Sequence, residues 1–192
     1  QTEYREVLEQ TDSAEIESIR KRAVAYNNTI TPGAAEEAYS QKSIRLAAED
    51  YVNQLNVSGS GIMGYVEIPK IGVDLPIYHG TGADSLDRGT GHLLGSSLPV
   101  GGESTHTIIT GHSGMASQKM FTDLEQLREG DIFYLHVLDE TLTYEVRKIH
   151  TVLPHDTTYL GIEPGEDLCT LVTCTPFGVN THRLLVRGHR VP

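Results

Sequence analysis

Seven short runs of β-type residues that follow Gly59 constrain the fold of this chain most strongly. Each run is rich in Val, Ile, Thr, Leu or Tyr and is bounded by glycine, proline or other turn residues, as is typical of strands. The predicted strands are Ile62–Ile68, Val73–Tyr78, Thr105–Thr110, Ile132–Leu138, Thr143–Leu153, Cys169–Cys174 and Arg183–Gly188. Between them, only Ser85–Arg88 and Phe121–Leu127 predict short helical pieces. Because few helices separate many strands, the pattern favours a mainly β domain, closed or sandwich-like, over a doubly wound sheet.

A helical arm is predicted before this β domain. Residues 3–27 contain neither glycine nor proline and carry an apolar stripe at helical spacing. The stripe consists of Leu8, Ile16, Ile19 and Ala23. Asn27–Gly33 ends this helix, and a second helix is predicted from Ala34 to Leu55. We therefore divide the chain into an arm over residues 1–56 and a β domain over residues 57–192. The arm is either a packing appendage or a cover for the functional site.

Charge and hydropathy argue against nucleic-acid binding and against a membrane-spanning segment. The 192 residues carry a formal net charge of −11, and the pI is near 5.2. Nucleic-acid binding is not expected, because phosphate neutralisation requires clustered Lys and Arg. No apolar run approaches the roughly 18 residues of a membrane span. Since the sequence begins at Gln1 rather than Met, we expect a trimmed soluble piece of a longer chain, with flanking anchors removed.

The two cysteines, Cys169 and Cys174, are expected to play separate roles. Five residues apart on one strand, they point to opposite faces at a separation of about 16 Å, which is too far for a disulfide. Their spacing is not that of a C-x-x-C redox pair either. The nine histidines fall in no H-E-x-x-H or Cys/His finger spacing. We therefore expect no metal site and no cofactor.

The end of one predicted strand and the start of the next bring a thiol and a guanidinium within reach of each other. Cys174 closes the run Leu168–Thr173, and Arg183 opens the following run. A thiolate there could act as a nucleophile, with the guanidinium at the developing oxyanion. The alternative for a lone thiol is a small buried residue that packs as a hydrophobe.

A thiol enzyme also needs a proton donor for its leaving group. His112 lies between glycines in Gly111-His112-Ser113-Gly114, directly after a predicted strand. The alternative is a turn histidine without a chemical role. His182 competes as the base, but neighbours on a strand face opposite ways. Only one of His182 and Arg183 can therefore point at Cys174.

The β domain carries a set of short motifs that together form a family pattern. They are VSGSGIMGYVEIP (57–69), LPIYHGT (75–81), GHL (91–93), SLPVGG (97–102), TGH (110–112), TLVTCTP (170–176) and NTHR (180–183). The combination of TLVTC, an arginine nine positions after its cysteine, and an upstream TGH resembles the sortases. Together with the helical arm, it resembles the class C, pilin-polymerising sortases of Gram-positive bacteria. The match covers about residues 57–190.

This resemblance implies an eight-stranded sortase β-barrel with short helices and an N-terminal two-helix arm. It implies that Cys174 is the nucleophile, His112 the general acid/base, and Arg183 the group that stabilises substrate and oxyanion. The implied reaction cleaves an LPXTG-like sorting signal between Thr and Gly through a thioacyl-enzyme. A lysine of another pilin subunit would then accept the acyl group, giving an isopeptide bond.

The same resemblance implies the setting in which the protein acts. The expected partners are pilin subunits that carry a sorting signal and an acceptor lysine, and contact with the membrane is expected only through flanking anchors. The expected location is the extracellular face of the membrane of a Gram-positive bacterium. Two alternatives stay open: a housekeeping sortase that anchors proteins to peptidoglycan, and a non-catalytic pilus-assembly module.

Three departures from the class C pattern affect these expectations. Ser113 stands where the family usually has arginine, and Phe177 where it usually has tyrosine. The chain has no Asp-Pro pair and no Trp, so the acidic-aromatic lid motif of the class is missing. We expect that Asn28–Ala35 either lies over the cleft without an ionic latch or is only a loop between helices. The expected lid residues are Ile30, Thr31 and Pro32, with Ile30 as the plug.

The last expectations concern substrate contacts and the second cysteine. By resemblance, Leu153–Asp167 forms one wall of the sorting-signal groove. The residues expected to contact the signal are Leu160, Ile162, Thr173 and Thr175. The acidic side chains of this loop are expected to be solvated, because no calcium-binding spacing appears. Cys169 is expected to pack in the core.

Overall fold

The fold, described by a computed structural model over residues 2–40, 49–114 and 119–192, is a closed β-barrel of eight strands. The strands are β1 (Ile62–Ile68), β2 (Val73–His79), β3 (Thr90–His92), β4 (Thr105–Thr110), β5 (Ile132–Val137), β6 (Glu140–Val152), β7 (Asp167–Thr175) and β8 (His182–Val191). Their order around the barrel is β1-β2-β3-β4-β7-β8-β6-β5, and β5 pairs with β1 to close it. The expected eight-stranded barrel is confirmed.

All seven strands predicted from the sequence are present, and one strand was not predicted. β3 has only three residues, one of them glycine, so it carries no periodic signal. It pairs in parallel with β2 and antiparallel with β4, and these neighbours specify it rather than its own composition. The predicted helical piece Phe121–Leu127 is a 3-10 turn over Leu124–Gln126. A further 3-10 turn spans Pro69–Ile71.

Alternation along β7 and β8 divides their side chains between the barrel interior and an outer face. Leu171 and Val186 are fully buried in the large interior cluster. Val172 and Leu185, the next residue in β7 and the preceding residue in β8, belong to a second cluster outside the barrel. Cys169 is also fully buried in the interior cluster, so its expected packing role agrees with its position.

The first predicted helix is divided into two by a helix cap. α1 spans Thr2–Gln10 and α2 spans Ser13–Asn28. The Asp12 carboxylate caps α2 by accepting a hydrogen bond of 3.0 Å from the Ala14 amide. An N-cap of this kind starts a new helix and so breaks the old one. The sequence pattern of apolar residues continued across Asp12 and concealed the break.

Both helices lie against the barrel. The Tyr4 hydroxyl of α1 accepts a hydrogen bond of 3.0 Å from the Leu138 amide. In α2, Ile16, Ile19 and Ala23 join the same apolar cluster as the barrel interior. Arg20 pairs with the carboxylates of Asp139 and Glu140 at the turn between β5 and β6. The arm therefore shares its core with the barrel.

The second predicted helix corresponds to α3 (Ala34–Ser40) and α4 (Glu49–Val52). The part of the predicted helix over residues 41–48 lies outside the described residues. The short helical piece predicted at Ser85–Arg88 is present as α5 (Ala83–Arg88), which follows β2. Within the described part of the chain, no helix has the length and apolar character needed to cross a bilayer.

A buried polar network joins α4 to the barrel beside β2 and β3. The Gly80 amide donates a hydrogen bond of 3.0 Å to the Tyr51 hydroxyl, which donates one of 2.7 Å to His92 Nδ1. His92 Nε2 then donates to the Ser97 carbonyl at 2.8 Å. In this arrangement His92 is neutral, and burial lowers its pKa to about 4. The network fixes Gly80, which begins the segment leading into α5.

We expect the barrel to lose stability in mild acid because of two buried histidines. Burial lowers the pKa of both His92 and His106 from 6.5 to about 4. The unfolded chain therefore binds protons that the folded chain does not, so the free energy of unfolding falls as the pH decreases from about 6.5 to about 4. Each histidine contributes on the order of 3 kcal/mol across this window.

Denaturant unfolding at pH 7, 5.5 and 4.5 measures this effect. A His106→Asn variant is expected to be less stable at pH 7 but to show a shallower dependence on pH. A slope equal to that of the wild type would contradict the assignment of His106 as a neutral buried group.

Candidate active site

Strands β7 and β8 place Cys174 and Arg183 side by side. The two residues are direct partners in the antiparallel register, followed by Thr175 and His182. Cys174 lies on the same face of β7 as Val172, and Arg183 on the same face of β8 as Leu185. His182 is on the opposite face, where Thr181 Oγ1 lies 2.9 Å from its Nδ1 atom. Arg183, and not His182, is therefore the cation beside the thiol.

The end of β4 brings His112 to the same place. The Gly111 amide donates a hydrogen bond of 3.0 Å to the Val172 carbonyl, and Thr173 Oγ1 donates one of 2.7 Å to the Gly111 carbonyl. The Phe121 amide donates to the His112 carbonyl at 2.9 Å. A Cβ atom at Gly111 would lie 2.6 Å from the Phe121 ring, so only glycine fits there. The backbone around His112 is thus held directly against the strand that carries Cys174.

The three residues line one cleft of about 550 Å³. The floor comes from β4, β7 and β8, and one wall comes from the segment Gly80–Leu86 at the start of α5. The remaining lining residues are Ala38, Tyr39, Leu93, Leu94 and Pro154. A cleft of this size accommodates an extended segment of a few residues.

Charge in the cleft is arranged around Arg183 and His112. Arg183 Nη1 donates to the carbonyls of Asn180 and His182, at 3.1 Å and 2.9 Å, which holds the guanidinium at the mouth of the cleft. On the other side, Asp87 Oδ1 of α5 lies 4.0 Å from His112 Nε2. The cleft therefore has a cationic side at Arg183 and an anionic side beyond His112.

The two cysteines differ in the way a nucleophile requires. Complete burial raises the pKa of the Cys169 thiol well above its ordinary value, so this thiol stays protonated. Cys174 is half-buried and lines the cleft beside Arg183. Since the thiolate is the reactive form, Cys174 is the candidate nucleophile.

The arm reaches the cleft through Tyr39 at the end of α3. Burial raises the pKa of the Tyr39 hydroxyl, the nearby Arg183 guanidinium lowers it, and the Cys174 sulfur adds to the rise. Ala35 of the same helix is buried against the outer-face cluster of Val172 and Leu185. An aromatic ring from the arm therefore lies close to the candidate nucleophile and its cation.

The structure places the expected lid residues elsewhere. Ile30 and Thr31 line a separate hollow between Tyr26, Leu94 and Gly95, and Pro32 is exposed. They connect α2 to α3, so the part of the arm over the cleft begins only with α3. Of the described arm residues, Ala38 and Tyr39 line the cleft, and Ile30, the expected plug, does not. The Asp-Pro-aromatic motif does not point to Tyr39, because no Asp-Pro pair precedes this residue.

Three of the four expected substrate contacts do not line the cleft. Leu160 is buried with Ala35, because its loop folds over the outer face and uses this side chain as an anchor. Thr175 pairs with His182 on the face opposite Cys174, and Ile162 is exposed beyond the cleft. Thr173 does line the cleft, but its hydroxyl is engaged by the Gly111 carbonyl.

A clamp of polar side chains holds the loop of residues 153–166. Arg187, which is almost fully buried, donates to the Tyr159 carbonyl at 2.7 Å and pairs with the Glu163 carboxylate. His106 Nδ1 donates to the Gly161 carbonyl at 2.8 Å. The loop that was expected to form a groove wall is therefore held against the barrel by His106 of β4 and Arg187 of β8.

We expect removal of the Tyr39 ring to expose the thiol. In Tyr39→Ala, alkylation of Cys174 by iodoacetamide should be about tenfold faster, because the ring that lines the cleft with Cys174 no longer restricts access to the thiol. A tenfold change corresponds to about 1.4 kcal/mol. The pseudo-first-order rate, followed by intact mass, measures it. Ile30→Ala is the matched control and should react at the wild-type rate. Equal acceleration by both variants would contradict the role of Tyr39.

Comparison with known proteins identifies the family. The sortase domain model matches residues 66–191. The chain belongs to the sortase family. Sortase D of Bacillus subtilis is 34% identical over 131 residues, which cover 67% of this chain and 63% of that protein. Sortase A of Streptococcus agalactiae is 24% identical over 174 residues, which cover 88% of this chain and 68% of that protein. This sortase thus spans about two thirds of the length of these relatives.

Among solved structures, this sortase is similar to proteins described as sortases C. Sortase C1 from Streptococcus agalactiae is 46% identical with a TM-score of 0.89, covering 100% of this chain and 97% of that chain. Sortase C-1 from Actinomyces oris is 45% identical with a TM-score of 0.86, covering 93% and 99%. The likeness includes the arm as well as the barrel, because the first of these matches extends over the whole chain.

Proposed function

We propose that this sortase is a class C cysteine transpeptidase that joins pilin subunits. The observation that carries the proposal is the pairing of Cys174 with Arg183 across β7 and β8, in one cleft with His112. Two further facts support it: the likeness to sortases C over the arm, and the contact of the arm with the cleft.

In the first step, the Cys174 thiolate attacks the carbonyl carbon of the Thr–Gly bond in an LPXTG-like signal. The carbonyl oxygen becomes an oxyanion, and the planar, always charged guanidinium of Arg183 stabilises it. His112 donates its proton to the leaving glycine amine as the C–N bond breaks. The product is a thioacyl-enzyme between Cys174 and the threonine carbonyl.

In the second step, a lysine ε-amine of another pilin subunit attacks the thioester. His112, now neutral, accepts the proton that the amine loses, and the C–S bond breaks to regenerate the thiolate. The product is an isopeptide bond between two subunits. We propose that the reaction takes place at the outer face of the cell membrane, where pilin subunits would be presented.

Incubation with an LPXTG-type peptide, followed by intact mass spectrometry, tests the chemistry. A covalent adduct on Cys174 with loss of the residues after threonine is the expected result, and its absence would contradict transpeptidase activity. A lysine-bearing pilin subunit then separates the classes: a ladder of covalent multimers supports pilin polymerisation. Transfer only to a peptidoglycan-type amine would identify an anchoring enzyme.

A further inference from the structure

Two exposed apolar side chains, Phe177 and Val179, lie in the loop that follows Cys174 and form an apolar rim next to the candidate nucleophile. In the parts of the chain that the structure describes, the exposed large hydrophobic residues are Val24, Leu153, Ile162, Phe177 and Val179. Phe177 and Val179 are 56% and 63% exposed, and both lie in the loop between β7 and β8. Large apolar groups beside a functional cleft are typical of a protein interaction site.

This rim lies on the His112 side of the nucleophile. A Cβ atom added to Gly114 would stand 3.6 Å from Phe177 Cε2 and 3.8 Å from the Gly178 amide nitrogen. The loop carrying Phe177 and Val179 therefore packs beside the backbone that follows His112. Leu153 lies on the other side, since it follows Val152, the direct partner of Arg183.

The chemistry assigns different substrates to the two sides. The leaving amine takes its proton from His112, and the attacking amine later gives a proton to the same imidazole. Both amines must therefore occupy the His112 side of Cys174. A protein that presents its lysine to the thioester from this side would contact the surface next to His112.

The charge on the His112 side of the cleft suits a lysine. The Asp87 carboxylate lies 4.0 Å from His112 Nε2, and Asp84 lines the cleft nearby. Carboxylates at the entrance raise the local concentration of an ammonium group and orient its approach. An apolar rim next to an anionic entrance is complementary to a lysine set in an apolar surface.

We propose that Phe177 and Val179 form the docking surface for the acceptor pilin subunit, with Asp87 guiding its lysine towards His112. This inference rests on the proposed function and names the site of its second substrate. The surface borders the backbone that follows His112, at Gly114, and its side chains contribute to acceptor binding rather than to thioester formation.

The test compares two acceptors on one thioacyl-enzyme. For the Phe177→Ser/Val179→Ser variant, the KM for a lysine-bearing pilin subunit should increase about tenfold, which corresponds to about 1.4 kcal/mol. Transfer to free lysine and the rate of thioacyl formation from the sorting peptide should change less than about twofold. Leu153→Ser is the matched control, because Leu153 is as exposed as Val179 at 63% and lies on the Arg183 side. Its KM for the pilin subunit should equal that of the wild type.

Each other outcome overturns the inference. An unchanged KM for the pilin subunit, an equal increase in Leu153→Ser, or an equal loss of transfer to free lysine would show that the rim does not hold the acceptor. Loss of binding to lipid vesicles, with acceptor KM unchanged, would identify a membrane contact instead. If the wild-type enzyme forms no thioacyl adduct, it is the proposed function that fails, and this result is recognised before any acceptor is added.

The charge is tested separately through salt. Raising the ionic strength from about 0.05 M to about 0.5 M should increase the wild-type KM for the pilin subunit, because screening weakens the attraction of the ammonium group. In Asp87→Asn the increase should be smaller. An identical salt response in the two enzymes would show that Asp87 does not guide the lysine.

Discussion

Replacing Cys174 with alanine is expected to abolish thioacyl formation, with a loss of at least about 10⁴-fold in turnover. No other described thiol can replace it, because Cys169 is enclosed in the barrel interior and its raised pKa keeps it protonated. Release of the peptide amine from an LPXTG-type substrate and the mass of the enzyme measure the loss. The Cys174→Ala barrel should remain folded, since this side chain is only half-buried at a strand end.

Cys169→Ala is the matched control for this experiment. It also replaces a cysteine of β7, but one whose side chain points into the barrel interior. The variant should keep wild-type turnover and lose about 1 kcal/mol of stability, because a small buried group is deleted. Comparable loss of turnover in both variants would show that the nucleophile has been assigned to the wrong cysteine.

Replacing Arg183 with alanine is expected to lower kcat by about 10²–10³-fold, the usual effect of losing one oxyanion donor. Arg183 is the direct neighbour of Cys174, and its orientation is fixed by the Asn180 and His182 carbonyls. Arg183→Lys should recover only part of the rate, since an ammonium keeps the charge but not the planar pair of donors. Single-turnover formation of the thioacyl adduct reports the affected step.

Arg147→Ala provides the control for a lost positive charge. Arg147 is half exposed on β6 and pairs only with Glu145 among the acidic groups described near it. Its replacement should leave kcat unchanged. A full wild-type rate in Arg183→Ala would contradict the assigned stabilisation of the oxyanion. An equal loss of kcat in Arg147→Ala would show that the effect comes from the change in net charge.

The barrel was largely predictable because most of its strands are runs of β-type residues that end beside glycine or proline. β3 was not, because three residues carry no period and its pairing with β2 and β4 is a tertiary property. The break between α1 and α2 was missed because the apolar stripe continues across the Asp12 cap. Local chemistry overrode periodicity at that point.

The proximity of Cys174 and Arg183 was expected from their places at the end of one predicted strand and the start of the next, whereas alternation alone left open whether His182 or Arg183 faces the thiol. The contacts made by loops and by the arm were harder to predict from the sequence. Leu160 reads as a groove residue in sequence, but the loop turns it inward against Ala35. Tyr39 carries no signal in its own segment, since its position over the cleft depends on where α3 packs. Long-range placement of this kind is set by the whole fold and not by neighbouring residues.

The hydrogen bonds between Gly111 and the strand of Cys174 have a consequence for how sortase specificity can diversify. Val172 and Thr173 form hydrogen bonds with Gly111, the residue before His112, so the spacing of the proposed nucleophile and proposed base depends on two paired strands. Insertions or exchanges in the surrounding loops leave that spacing untouched. Changes in these loops could therefore alter which sorting signals and acceptor proteins bind, while the spacing of Cys174 and His112 stays the same.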